Sequence, residues 1–302
     1  MKKKKTTILI TGGSGFIGRN LIEIFGNKYR LLYPTHRELD LTNDKHVTDF
    51  FKKNDIDVII HSAFGEATSV FDHTIKMFVN IYRHIDKVQK FIYFGSGAEY
   101  DKSRDLIKVK ETDFGKKIPG DDYGLAKYIC YQIAKDNPKI LNLRLFGIYG
   151  KYEDYLFKFI SNSIVKNLSN LPIKIKQNVI FSYLFIADLI EIVKYFINNK
   201  SKYTDYNVVP TKSIDLLKIA QLINQVSRKE VEIQIMNNNL NYEYTADNKR
   251  LLSEIRNLEF TSYKDGIKSL YNFYLDNKTS LNYRKILADE YLKKAKINIW
   301  QK

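Results

Sequence analysis

Thr6-Thr7-Ile8-Leu9-Ile10, running straight into Thr11-Gly12-Gly13-Ser14-Gly15-Phe16-Ile17-Gly18, decides the fold. The first five residues are β-branched or apolar without alternation, the pattern of a strand buried on both faces. A glycine-rich turn follows, and residues 17–25 then carry apolar side chains at helical spacing. Strand, glycine loop and helix in that order form a dinucleotide cradle. Gly12 permits the tight turn, Gly15 lets the backbone approach a pyrophosphate, and Gly18 lets helix pack on strand. Ser14, Phe16 and Ile17 complete a loop whose unpaired amides and helix dipole favour an anion. A glycine-rich turn without a ligand is the alternative reading.

Working outward, strands are expected at residues 30–33, 58–61, 90–94 and 140–145. Helices are expected at 44–53, 71–86 and 123–135. This βαβ order predicts an α/β fold: a Rossmann doubly wound parallel sheet covered by helices on both faces. Beyond about residue 150 the pattern turns to helices separated by short mixed segments. We therefore divide the chain into a dinucleotide-binding domain at 1–165 and a smaller substrate-binding subdomain at 166–302. A strand at 206–209 is expected to return to the main sheet. Residues 283–296 read as an amphipathic helix that packs on the body or on a second subunit, in keeping with a homodimer.

The bulk properties agree with a folded enzyme. An apolar fraction of 44% over 302 residues suffices for a large core. The opening Met-Lys-Lys-Lys-Lys resembles the start of a secretory signal, but Thr11-Gly12-Gly13 breaks the apolar run after it. No segment approaches the ~20 apolar residues of a membrane span, so a cytoplasmic protein without a membrane partner is expected. Cys130 is the single cysteine, which excludes an internal disulfide. His36, His46, His61, His73 and His84 form no close ligand set, so no metal is expected. The net charge of +15 is spread along the chain among Ile, Asn and Tyr residues. It reads as a solvated basic surface without a nucleic-acid partner, although it would attract a phosphorylated small molecule.

The end of the second strand distinguishes the two nicotinamide dinucleotides, an acid there holding a ribose diol and a base a 2′-phosphate. Here it reads Tyr33-Pro34-Thr35-His36-Arg37, with no carboxylate before Glu38. His36 and Arg37 favour NADP, with NAD the alternative, and Asp40-Leu41 could line the adenine pocket. Arg37 as an ordinary surface charge is the competing reading. Further on, Ser96 in Gly95-Ser96-Gly97-Ala98-Glu99-Tyr100 falls just past a parallel strand, on the edge where such sheets bind ligands. Tyr123-Gly124-Leu125-Ala126-Lys127 places a phenol and an ammonium on one helix face.

Together with the run Arg144-Leu145-Phe146-Gly147-Ile148-Tyr149-Gly150, these motifs resemble the extended short-chain dehydrogenase/reductase superfamily. Phe181-Ser182-Tyr183-Leu184-Phe185-Ile186-Ala187-Asp188-Leu189 looks like that superfamily's "YVDDL" region, and Tyr206-Asn207-Val208-Val209 continues the likeness. The resemblance implies a Rossmann domain, a small substrate domain and a nucleotide-sugar substrate. It implies Ser96, Tyr123 and Lys127 as the catalytic set, with Tyr123 and Lys127 also touching the dinucleotide, and Ser62, Ala63 and Asn80 lining its site. Tyr123 would exchange a proton with a sugar oxygen. Lys127 would hold the nicotinamide ribose and draw the phenol's pKa down from near 10.

Residues 35–41 look like the corresponding region of the GDP-fucose synthases and dTDP-dehydrorhamnose reductases, which use NADPH. Ser14 and Ala98 stand where GDP-fucose synthases carry arginine and cysteine. Ile180 and Phe181 replace an arginine that often contacts the substrate phosphate. Sugar 4,6-dehydratases carry Asp-Glu where this chain has Gly97-Ala98; Glu99 comes one residue late, and on a strand-like segment would face away. Reduction of a nucleotide-linked keto sugar is therefore the expected reaction, and epimerisation the alternative. A catalytically silent dinucleotide sensor or RNA-associated protein is the reading from another class.

Overall fold

In the computed structural model, which describes residues 5–65 and 68–295, the chain alternates strand and helix through its first half. The elements are β1 (Thr7–Thr11), α1 (Phe16–Phe25), β2 (Arg30–Leu32), α2 (Asp44–Lys53), β3 (Val58–His61), α3 (Val70–Tyr82) and β4 (Lys90–Ser96). Next come β5 (Leu106–Val109), α4 (Asp122–Ala134), β6 (Ile140–Leu145) and β7 (Gly147–Tyr149). The second half holds α5 (Phe159–Leu168), β8 (Ile173–Ile175), β9 (Ile180–Phe181), β10 (Tyr183–Phe185), α6 (Ile186–Asn198), β11 (Asp205–Val208) and β12 (Ile214–Asp215). After these lie α7 (Leu216–Ser227), β13 (Ile233–Ile235), β14 (Tyr244–Ala246), α8 (Lys249–Glu254), α9 (Tyr263–Asp276), α10 (Tyr283–Leu287) and α11 (Glu290–Lys294).

Six parallel strands form the main sheet in the order β11-β6-β4-β3-β1-β2. Every residue of β1 is buried, as expected of a parallel strand covered on both faces. Ile8 and Ile10 pack on one side with Leu21 and Phe25 of α1 and with α6, while Leu9 and Ile59 pack on the other with α2, α3 and α4. The expected return strand is β11, paired to β6 at the sheet edge. Beyond it, α5, α7 and α9 close a second core around Ile164, Ile219 and Leu270.

Two departures from the sequence reading have local causes. Residues 283–296 do not form one helix: Asp289 adopts φ 51° and splits the segment into α10 and α11. Lys166, buried beneath it, bonds the Asp289 carboxylate at 2.7 Å and fixes the break against the body; residue 296 lies outside the described residues. Residues 97–100 form a 3₁₀ turn instead of extended chain, capped reciprocally by Ser96 and Glu99. Glu99 consequently points into the interior, where it accepts from Arg144 and Asn142.

Short secondary sheets link the halves. β5 pairs with β14, and β14 with β9, so a strand from the first half is joined to two from the second. No helix among the described residues is long and apolar enough to cross a membrane.

Candidate active site

The glycine loop sits at the carboxyl end of β1, and its backbone requires its glycines. Gly12 has φ +70°, and a Cβ there would stand 2.7 Å from the Ala63 amide nitrogen. At Gly18 an added Cβ would stand 2.7 Å from the Gly13 Cα, so this glycine permits the helix to lie against the turn. Gly15 differs: its added Cβ would meet only the Gly12 carbonyl oxygen, at 3.2 Å, and otherwise open space. Gly15 is also the N-cap of α1 and offers no side-chain cap, which leaves first-turn amides for an outside acceptor. The residues present fit a pyrophosphate.

Two adjoining cavities share Gly12, Ser14 and Phe64 in their walls. The smaller, of about 670 Å³, runs from the loop past Tyr33, Thr35, His36, Asp40, Leu41 and Ala63. Glu38 turns its carboxylate back onto the Thr35 amide and hydroxyl, at 2.7 and 2.9 Å, which holds its pKa down. Asp40 is occupied with Thr42. Two candidates line neither cavity. Arg37 is exposed beside the smaller one. Asn80 is buried, its amide donating to the Leu41 carbonyl at 2.9 Å, so it supports the wall from behind.

The larger cavity, of about 1070 Å³, brings together Ser14, Gly15, Phe16, Ile17, Gly18 and Ser62 with Ser96, Tyr123 and Lys127. β4 runs two residues beyond the expected 90–94, so Ser96 is the last residue of the strand rather than just past it, and its Oγ accepts the Ala98 amide at 3.1 Å. Tyr123 lines the same cavity wall as Ser96. Lys127 is 3% exposed, donates to the Phe94 carbonyl at 2.9 Å, and stands over the Tyr93 and Tyr123 rings at 4.6 and 6.0 Å. Burial lowers its pKa to about 8.

Burial raises the pKa of Tyr123, with the Ser96 hydrogen bond opposing and Glu99 and Asp121 adding to the rise. The sequence reading had it falling under Lys127. In the protein alone burial dominates, and the phenol stays in its protonated form.

Several neighbours went unnoticed in the sequence. Tyr244 of β14 lines the same cavity, its hydroxyl close over Gly97, and burial raises its pKa strongly. Glu153 lines the large cavity at 6% exposure, accepts from Ser161, and is pushed up to about 8 by burial. Beneath Ser96, the fully buried Arg144 binds Glu99 and Asp205, and Arg250 also binds Asp205. The Arg144 guanidinium covers the Phe114 and Tyr131 rings at 4.7 and 4.5 Å. Glu99 accepts the Ser96 amide at 2.9 Å, so this charge cluster anchors the backbone of the candidate serine.

A parallel sheet whose carboxyl edge carries a glycine loop and a serine–tyrosine–lysine set defines a class of dinucleotide-dependent enzymes. Residues 8–209 match the model of the NAD dependent epimerase/dehydratase family, and the chain belongs to it. It is thereby an enzyme of a nicotinamide-dinucleotide-dependent family. Among similar proteins is the GDP-L-colitose synthase of Yersinia pseudotuberculosis, 25% identical over 229 residues, which are 65% of this chain and 73% of that protein. The ADP-L-glycero-D-manno-heptose-6-epimerase of Brachyspira hyodysenteriae is 21% identical over 307 residues, 86% of this chain and 95% of that one. A GDP-L-fucose synthetase from Naegleria fowleri, solved with NADP, superposes with a TM-score of 0.80 at 16% identity, covering 92% and 96% of the two chains. The GDP-mannoheptose C4 reductase of Campylobacter jejuni, also solved with NADP, does so at 0.77 and 20%, covering 91% and 100%. These structures share the fold.

Proposed function

We propose that the protein reduces a nucleotide-linked keto sugar with NADPH. The observation that carries this reading is that Ser96, Tyr123 and Lys127 line one cavity with the glycine loop, beside a second-strand end, Thr35-His36-Arg37, that carries no acid. A carbonyl becoming an alcohol needs a proton at its oxygen, and a phenol kept protonated by burial is ready to give one. Oxidation as the opening step, as an epimerase requires, would need the phenolate instead.

When bound, NADPH supplies hydride to the carbonyl carbon. Gly12 to Gly18 would hold the pyrophosphate, and Asp40, Leu41 and Ala63 the adenosine end. His36, with Arg37 swinging in from the surface, would hold the 2′-phosphate. Ser96 Oγ orients the sugar carbonyl, Tyr123 Oη delivers the proton, and Lys127, anchored on Phe94, directs its remaining N–H donors to the nicotinamide ribose. Val179, Phe181 and Tyr244 wall the same cavity from the second half, which supports residues 166–302 as the substrate-covering part. The similarity to a GDP-L-colitose synthase and the likeness to a GDP-mannoheptose C4 reductase favour a sugar carried by a nucleotide.

Purified protein is assayed for cofactor release and for turnover of nucleotide-linked 4-keto sugars. The expected result is weakly held cofactor, tighter binding of NADPH than NADH, and loss of that preference in Arg37→Ala. Tightly retained NAD⁺, with epimerisation of an aldose nucleotide in the absence of added dinucleotide, would overturn the reductase reading.

A further inference from the structure

One buried ion pair seats α11 on the second half of the chain. Lys166 of α5 is 3% exposed, and its ammonium bonds the Asp289 carboxylate at 2.7 Å. Burial lowers the Lys166 pKa and Asp289 holds it up, because an ammonium shut away from water needs a paired charge. Asp289 is the left-handed residue between α10 and α11, so the pair fixes where α11 lies. From there Tyr291 packs on the Phe159 ring at 5.6 Å, the Leu292 carbonyl accepts from Lys176 at 3.2 Å, and the Lys294 ammonium stands 3.9 Å over the Phe157 ring.

These contacts fall on the wall of a cavity. Tyr291 and Ala295 line a side chamber of about 250 Å³, together with Phe157, Lys158, Val179, Phe181 and Asn241. The same five residues line the larger cavity that holds Ser96 and Tyr123, so the chamber adjoins it. Ser96, Tyr123, Lys127 and the glycine loop form no part of the chamber's wall among the described residues. We infer that Lys166 and Asp289 are positioning residues, a latch that seats residues 290–295 as the outer wall of the substrate cavity and so sets affinity for the sugar nucleotide at the end away from the reacting carbon. This rests on the reading of the larger cavity as the sugar-nucleotide site. Breaking the latch leaves an ammonium among apolar neighbours, a state that is relieved when the segment lifts and water enters. Lifting it removes Tyr291 and Lys294 from the Phe157–Phe159 wall and leaves the reacting groups in place. A ligand that touches the seated wall in turn holds the latch closed, because binding and seating are reciprocal.

The test is a double-mutant cycle. Asp289→Asn removes one charge and keeps a residue type that tolerates the left-handed backbone. Adding Lys166→Met removes the other, so that no unpaired charge is left inside. Three readouts are taken: hydrogen exchange of residues 283–295, calorimetric binding of GDP and UDP in saturating NADP⁺, and kcat and KM on the sugar nucleotide that the wild type turns over. In Asp289→Asn, exchange of residues 290–295 and the KM should each rise about tenfold, and binding of the nucleoside diphosphate should weaken in step. Both kcat and dinucleotide affinity should stay within about twofold, and the double variant should return exchange and KM to within about threefold of wild type, as coupled residues do. Unchanged exchange in Asp289→Asn would overturn the inference, and so would a freed segment with unchanged binding of GDP and UDP. A double variant as impaired as the single one, or an equal loss of dinucleotide affinity, would show general loosening in place of a latch and would overturn it too. Epimerisation in place of reduction would refute the proposed function alone, and the cycle would be read on that reaction.

Discussion

Replacing Glu153 with glutamine isolates one buried charge whose effect on stability can be worked out in advance. Glu153 is 6% exposed, and burial raises its carboxyl from the ordinary 4.5 to about 8. Between those two values the folded protein holds a proton that the unfolded chain has released. Stability from this group is fully present below about pH 4.5, falls as pH rises, and levels off above about pH 8. At about 1.4 kcal/mol per pH unit the whole window amounts to at most about 5 kcal/mol. Glutamine has nearly the same shape, can still accept from Ser161 through its amide oxygen, and does not titrate. The two proteins should therefore melt together near pH 5 and separate as pH rises, glutamine the more stable. At ~2–4 °C per kcal/mol for chains somewhat shorter than this, the gap should reach at least several degrees by pH 8. Calorimetric scans in matched buffers from pH 5 to 9 read it directly. Melting curves that stay parallel across that range would refute the argument, because they would mean that the carboxyl titrates alike in folded and unfolded chains.

Other consequences are sharper for activity. Tyr123→Phe removes one proton donor and almost no volume. It should cut kcat by ~10²–10⁴ while leaving dinucleotide affinity within about threefold, and turnover within tenfold of wild type would sink the proton-donor assignment. Gly15→Val places a side chain in the open space beside the loop, so the variant should fold yet lose dinucleotide binding by fluorescence titration; unchanged affinity in a folded variant would reduce the loop to a turn.

The main sheet was legible because β1, β3 and β4 carry apolar runs and the helices between them a 3.6-residue period. The dinucleotide end was legible because glycine spacing reports a backbone requirement that few other contexts impose. The polar underside of the site was not legible. Arg144 and Asn142 interrupt the apolar strand Ile140–Leu145, and two such residues in a buried strand demand partners. That demand was a usable signal, but nothing local says the partners are Glu99 and Asp205, 45 and 61 residues away. Reading residues 97–100 as extended also turned Glu99 outward, when a reciprocal cap with Ser96 curls the segment and turns it in. Tyr244 had no signal at all: it is one of 22 tyrosines, and its place is set by β14 pairing with strands 138 and 63 residues distant. Arg37 and Asn80 could be placed near the dinucleotide end but not oriented: one stands exposed beside the cavity and the other braces Leu41 from behind, and spacing along the chain does not say which way a side chain is spent.

The strand order carries a consequence for synthesis of the chain. β6 is an edge until β11 arrives, and Arg144 on β6 lacks Asp205 until then. A nascent chain stopped short of residue 205 therefore presents a bare strand edge with a guanidinium missing one of its two carboxylates, the kind of species that chaperones hold and proteases remove. Ser96 and Tyr123 are made early, but Tyr244 emerges after the sheet can close. The wall of the larger cavity is therefore completed late in translation, after the glycine loop and Ser96 have already been made.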